Sequence, residues 1–453
     1  MSGTVTGLFG NLRSQDGRRT ATARLWSLME DLYPVCRSIT GNGVRQTLSM
    51  ISRFAPLDIT EVPSGTPVFD WVVPNEWNVR EAWIEDPAGN RIVDFGRHTL
   101  HLMSYSVPVR CKLPLSELRR HLHSLPEHPD WIPYRTSYYH EDWGFCLTHR
   151  QLDSLTDGTY SVHIDSTLTD GHLTYGECVI PGESTDEILL FTHICHPSLC
   201  NDNLTGIAVA ATLAAHLQGT RPRLTFRFVF APGTIGSITW LARNESRVGQ
   251  VRHGLVMGLL GDRGPLTYKR SRQGEAVIDR IAAHVLPTVS RAVRIVDFSP
   301  YGYDERQLCS PGFNLPVGRL TRTPNGEYAE YHTSADDFSI VSADSLSESL
   351  HACVSLLRVA DRNATYVNMN PKCEPRLGKR GLFRPTGGTE PGRFEHALLW
   401  VLNQSDGSRS LLDIAERSQL DFDTIAEAAD ALERVGLLRS ANQDANRAGS
   451  NHQ

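Results

Sequence analysis

The sequence predicts an α/β fold: a mixed sheet flanked by helices, with an inserted β-rich domain and a C-terminal winged-helix domain. Three observations predict it. Between residues 166 and 365 short apolar runs alternate with helical ones, the pattern of a sheet covered on both faces. Between 61 and 165 the texture changes to β-type runs broken by Pro, Gly and Asn. Beyond 392, three short helical segments end in a strand-like run.

Taken in order, residues 21–55 read as helix, a break at Thr40-Gly41-Asn42-Gly43, and helix again, with Leu25, Leu28 and Leu32 on one apolar stripe. Within the insert, Ala82-Trp83-Ile84 and Arg91-Ile92-Val93-Asp94-Phe95 are among the strands. Trp71, Trp77, Trp83, Trp131 and Trp143 are expected in its core. The α/β part, residues 20–60 and 166–365, then places strands at 188–192, 224–230, 254–260 and 293–298, and helices at 203–217, 236–243 and 273–285. Residues 366–392, rich in Pro, Gly, Lys and Arg, read as a linker. Residues 393–440 form the winged-helix domain, and 441–453 read as a disordered tail.

Composition bounds the function. In 453 residues, 40% are hydrophobic and 21% charged, ordinary for a soluble globular protein. A formal charge of −6 gives no reason to expect nucleic acid or anionic membrane as partner. No apolar run is long enough to span a bilayer, and the first twenty residues lack a secretion-signal core. Nine cysteines without a repeated spacing do not suggest a disulfide framework, so a cytoplasmic location is expected. Asp421, Asp423, Glu427, Asp430 and Glu433 face a single cation, Arg434, on the expected recognition helix and the turn before it. Such a face repels phosphate, so this domain is expected to self-associate or to bind a protein partner rather than DNA.

The chemistry concentrates in Thr192-His193-Ile194-Cys195-His196-Pro197-Ser198-Leu199-Cys200-Asn201-Asp202-Asn203-Leu204-Thr205-Gly206, where two imidazoles and a carboxylate lie between a strand and a helix. Neutral imidazole and carboxylate suit zinc and related ions. A structural zinc knuckle using Cys195 and Cys200 is disfavoured, because no C-x-x-C pair is present.

Asp202-Asn203-Leu204-Thr205-Gly206 resembles the Asp-Asn-x-Ser-Gly turn of the co-catalytic zinc aminopeptidases, and Tyr331-His332-Thr333-Ser334-Ala335-Asp336 resembles their last ligand motif. More closely, the chain resembles bacterial proteins with an aminopeptidase-like domain, an inserted β domain and a C-terminal winged helix. That resemblance runs through Cys36-Arg37-Ser38-Ile39-Thr40-Gly41, Glu141-Asp142-Trp143-Gly144-Phe145, Ser310-Pro311-Gly312-Phe313-Asn314-Leu315-Pro316 and Glu330-Tyr331-His332-Thr333. It implies a metal-dependent, aminopeptidase-like hydrolase of an amide bond in a small or peptide-like substrate, with one or two Zn²⁺ ions held by His193, Asp202, Asp262 and His332. His196 is then the ligand in place of His193, an extra ligand, or a proton donor. The alternatives are a metalloenzyme of different chemistry in polysaccharide or secondary-metabolite synthesis, or a non-catalytic peptide-binding scaffold.

One departure stands out. The aminopeptidases carry two adjacent glutamates after the strand that follows the bridging aspartate, one of them the general base. Here that strand runs into Ala231-Pro232-Gly233-Thr234. Losing a general base typically costs about 10²–10⁴-fold in rate. Glu305 and Glu330 are the expected substitutes, and Arg270, Arg272 and Asp304 the expected substrate-binding groups.

Overall fold

The computed structural model describes residues 8–382 and 392–441, which divide into two compact units at Ser355/Leu356. In the first unit, α1 (Gln15–Leu32) and α2 (Asn42–Ile51) flank the expected break. Eight strands then form one sheet: β1 (Asp58–Pro63), β2 (His172–Ile180), β3 (Glu187–His193), β4 (Thr225–Ala231), β5 (Val251–Met257), β6 (Leu266–Lys269), β7 (Val293–Val296) and β8 (Val317–Thr321). Their order is β1-β2-β4-β3-β5-β8-β6-β7. The centre, β4-β3-β5-β8, is parallel, and antiparallel pairings join β1 to β2, β2 to β4 and β6 to β8.

Burial explains the strand sequences. Ile188, Leu189, Leu190 and Phe191 of β3 are all buried, as a central parallel strand requires. On β4, Phe226, Phe228 and Phe230 alternate with Arg227, whose guanidinium is held by Glu187 at 2.7 and 2.8 Å and by Glu177 at 3.0 Å. A buried cation is tolerable only when paired in this way. Helix α3 (Thr205–Leu217) packs on the sheet with Ala208, Ala210, Ala211 and Ala214 buried; α4 (Ile235–Asn244) and α5 (Val277–Val289) complete the alternation.

The β-rich insert leaves the sheet after β1 and returns at β2. Its own antiparallel sheet runs Arg91–Asp94, Glu76–Glu85, Thr159–Thr169, Val109–Pro114. The expected limits of 61 and 165 therefore both move later in the chain, because Pro63 still pairs with His172 in the main sheet and Thr169 pairs with Glu76 in the insert. The tryptophans do not share one core. Trp77 is buried and donates to Ser106 O at 2.9 Å, whereas Trp71 is 45% exposed and packs on Tyr139.

In the second unit Asp406–Ser410, Thr365–Asn368 and Leu438–Ser440 form a three-stranded sheet with helices Arg393–Gln404, Leu411–Ser418 and Phe422–Arg434, a winged helix. The expected linker begins too early, since Thr365–Asn368 is the central strand of this sheet. Residues 383–391 and all but the first residue of the expected tail lie outside the described residues. Among the described residues no helix is long and apolar enough to cross a membrane.

Candidate metal centre

Three central strands deliver the site at their carboxyl ends, where open α/β sheets place their ligands. His193 closes β3, Ala231 closes β4 ahead of Pro232-Gly233, and Met257 closes β5. Between β3 and α3 the turn of residues 200–204 is fastened from both sides. Asn203 Nδ2 donates to Thr192 Oγ1 (2.9 Å) and His193 O (3.0 Å), while its Oδ1 accepts from Leu259 N (3.2 Å). Asp336 accepts from Asn201 N at 2.5 Å and Asp202 N at 3.1 Å. A Cβ on Gly206 would come within 2.4 Å of Asn203 Oδ1 and 2.8 Å of Met257 O, so only glycine allows the turn this close an approach.

This scaffold buries Asp202 completely and surrounds it with imidazoles. His193 Nε2 lies 2.8 Å from Oδ1, His196 Nδ1 3.2 Å from Oδ1, and His332 Nε2 3.1 Å from Oδ2. Tyr303 donates its phenol to Oδ2 at 2.7 Å and stacks on His193, and Tyr331 stacks on His332. Tyr134, from the insert, meets both His196 and His332 edge-on, and its backbone N–H donates to His332 O at 2.8 Å. That contact helps hold His332 at φ +57°, a left-handed conformation uncommon outside glycine.

Electrostatics follow from this geometry. Burial works to raise the Asp202 carboxyl, but the charge of His196 and the bonds from His193, His196 and His332 prevail and hold it well below the usual range. Burial pushes His193 and His332 down, toward the neutral form that ligates metals. His196 is also buried, yet the Asp202 charge and neighbouring Cys195 push it well above its ordinary value.

The donor set fits a metal ion. Ligand atoms of His193, His196 and Asp202 all lie within 4.8 Å of one another. His196 Nδ1, although near Asp202, is buried and makes no aligned hydrogen bond. His193, His196, Asp202 and His332 are the residues that would hold such an ion.

The other expected site residues are elsewhere. Asp262 is held by three segments: it accepts from Gly264 N (2.7 Å) in its own loop, from Thr323 Oγ1 (2.6 Å) and N (3.1 Å), and from Asn201 Nδ2 (3.1 Å) of the turn that carries Asp202. A carboxylate with four donors is a structural anchor, and it stands outside the cluster. Glu305 is buried against Lys269 (2.9 Å) and Arg319 (3.3 Å) and accepts from Tyr303 N, so two cations occupy it and it is not free as a base. Arg270 reaches Gly274 O of its own loop and Asp297 beyond β7, and Arg272 reaches Asn314. Glu330 is half-buried, and through its carbonyl it caps Thr333.

Asp304 is the exception. It is fully buried, and both carboxyl oxygens lack an aligned donor. Ser237 lies near enough to favour its ionised form, but that hydroxyl spends its one hydrogen on Thr234 O. Burial pushes the Asp304 acid up to about 7, with the charge of Glu305 adding to the effect. A Cβ built on Gly233 would lie 3.1 Å from His193 Cβ and 3.3 Å from Asp304 Oδ2. The Asp304 carboxylate thus sits against the Gly233 backbone, on the side of that turn that also meets His193.

Sequence reasoning missed Tyr303, Tyr134 and the anchoring role of Asp336. Tyr303 stands next to Asp304, and Asp336 closes the quoted His332 motif, so both carried a local signal; Tyr134 carried none.

Comparison with known proteins places the chain. Residues 26–363 match a family described as a domain of unknown function, DUF4910, and residues 364–440 match a winged helix-turn-helix family. The chain belongs to the DUF4910 family. A Clostridium acetobutylicum protein named for polysaccharide biosynthesis and an aminopeptidase-like domain is 50% identical over 92% of this chain and 96% of its own. A crystal structure described as a candidate peptidase, also from Clostridium acetobutylicum, superposes with a TM-score of 0.88 at 48% identity, over 94% of this chain and 98% of that one. The zinc aminopeptidase of Bacillus subtilis shares the fold, with a TM-score of 0.56 at 12% identity over 76% of this chain and 95% of its own. This DUF4910 chain therefore has an aminopeptidase-like α/β fold with a C-terminal winged helix.

Proposed function

We propose that this DUF4910 protein is a metal-dependent hydrolase, with zinc the first candidate, that cleaves an amide bond in a small or peptide-like substrate. The observation that carries the reading is the convergence of three imidazoles on the single buried carboxylate of Asp202, at the rim where the sheet presents its strand ends. A bound zinc ion supplies Lewis-acid polarisation of the scissile carbonyl and activation of water.

The remaining work falls to the chain. Asp202 orients the imidazoles, and the Tyr303 phenol fixes Asp202 in turn. Tyr134 closes one side of the cluster, leaving His332, 33% exposed, as the side open to substrate. Asp304 takes the proton released as water adds to the carbonyl, and returns it to the departing amine nitrogen as the C–N bond breaks. Its position beside Gly233, where the aminopeptidases carry their glutamates, supports that role.

The name of the half-identical relative favours a second reading within the same chemistry, hydrolysis of an N-acyl group on a sugar used in polysaccharide synthesis. The winged helix is proposed as a protein-contact or self-association module. The expected single cation is not alone: Asp421, Asp423 and Asp430 pair with Arg393, Arg358 and Arg362 within the same unit, so these arginines are engaged by carboxylates rather than free for phosphate.

The test offers aminoacyl-amides and N-acetylhexosamines to the zinc-loaded protein and to Asp202→Ala. Turnover of either class that is lost in the variant and on chelation supports the reading. Failure on both classes with zinc bound refutes amide hydrolysis.

A further inference from the structure

We propose that the cluster holds one metal ion, not a co-catalytic pair, and that His196 is the ligand that makes it a single centre. This rests on the metal-binding reading above.

Ring spacing is the first argument. With zinc–nitrogen bonds of 2.0–2.1 Å, two imidazoles on one tetrahedral ion have ring centres about 5 Å apart. The rings of His193 and His196 are 5.0 Å apart, and those of His196 and His332 are 5.1 Å apart. His196 thus stands at shared-ion distance from both other imidazoles. Its Nδ1 is buried 3.2 Å from Asp202 Oδ1 but makes no aligned hydrogen bond, so the nitrogen faces the cluster without a well-directed partner.

The second argument is the missing half of a pair. Two-metal sites hold ions about 3.5–4 Å apart, each needing protein ligands of its own. Three carboxylates that could serve a second ion are already engaged. Asp262 accepts four hydrogen bonds, from Gly264, Thr323 and Asn201. Asp336 holds the backbone of Asn201 and Asp202 and accepts from the Tyr328 phenol. Glu305 is bound to Lys269 and Arg319. Asp304 lacks an aligned partner and Glu330 uses only its backbone carbonyl, and neither is among the residues whose ligand atoms converge with those of Asp202. The centre that remains has the converging atoms of His193, His196 and Asp202, with His332 Nε2 3.1 Å from the far oxygen of the same carboxylate, a set suited to one borderline ion.

Full-length protein stripped by chelation is dialysed against buffered Zn²⁺, and bound metal is measured by mass spectrometry. The proposal expects one zinc per chain. It also expects His196→Ala to weaken binding on the order of a hundredfold or more, with circular dichroism unchanged. Because a variant can misfold, Co²⁺ replaces zinc in a second measurement. One visible chromophore should titrate in a single phase and shift in both His193→Gln and His332→Gln. Two ions per chain overturn the proposal while leaving the metal reading intact. No bound ion overturns both. One ion whose affinity or spectrum ignores His196 or either flanking histidine also overturns it.

Discussion

Tyr303 lies flat against His193, ring centres 4.4 Å apart and planes 17° from parallel, and its phenol reaches Asp202 Oδ2 at 2.7 Å. One residue therefore fixes both the plane of an imidazole and the rotamer of the carboxylate beside it.

From this, Tyr303→Phe keeps the stacking and loses only the hydrogen bond. Partners that orient metal ligands typically contribute about 10–100-fold in affinity or activity. Zinc affinity of Tyr303→Phe should fall within that range, with the fold intact by circular dichroism. Unchanged affinity would show that the phenol is incidental.

Metal binding should release protons. His193 and His332 are pushed down and stay neutral near pH 7, whereas His196 is pushed up and carries a proton that an incoming ion must displace. Calorimetry in buffers of different ionisation enthalpy should report about one proton released per ion at pH 7, with affinity falling as pH falls. Affinity independent of pH between 6 and 8 would contradict this assignment.

Asp304 couples pH to stability. Its acid is raised to about 7 by burial, from an ordinary value of 3.8. The sign follows from linkage: the contribution is fully present below the unfolded value and fades as pH rises toward the folded one. Metal-free Asp304→Asn should therefore gain stability over the parent chain as pH rises from 4 to 7, with the gain level above that. The upper limit is on the order of 4 kcal/mol. Thermal midpoints across that range measure it, and in the hydrolysis assay the same variant should retain zinc but lose about 10²–10⁴-fold in rate.

Asp262→Ala should cost stability rather than metal. Removing this carboxylate strands donors on Asn201, Gly264 and Thr323, at about 1–3 kcal/mol for each buried group left unsatisfied. Zinc content should stay at the parent level in the folded fraction. Loss of zinc from a folded Asp262→Ala would restore Asp262 as a ligand.

Much of the architecture was legible because it rests on periodicity. The apolar run at 188–191, the Phe226-Phe228-Phe230 alternation and the alanine-rich helix after Asp202 each carry their own burial pattern. The Asp202 turn and His332 were legible as motifs. What failed was choosing among carboxylates by proximity in the chain. Asp262 and Glu305 both sit at suggestive positions, but their fates were decided by Thr323 and Arg319, residues far along the chain that reach back to them. Tyr134 reaches the site from an inserted domain whose sequence carries no sign of that approach. The edge of the linker was misplaced because a four-residue strand, Thr365–Asn368, gains its meaning only from partners near 408 and 439.

The most direct test of the metal centre is anomalous diffraction at the zinc edge from crystals of the zinc-loaded full-length protein. A single peak enclosed by His193, His196, Asp202 and His332 is the predicted result. A map with no peak there, or with its strongest peak on another group of residues, would contradict the account.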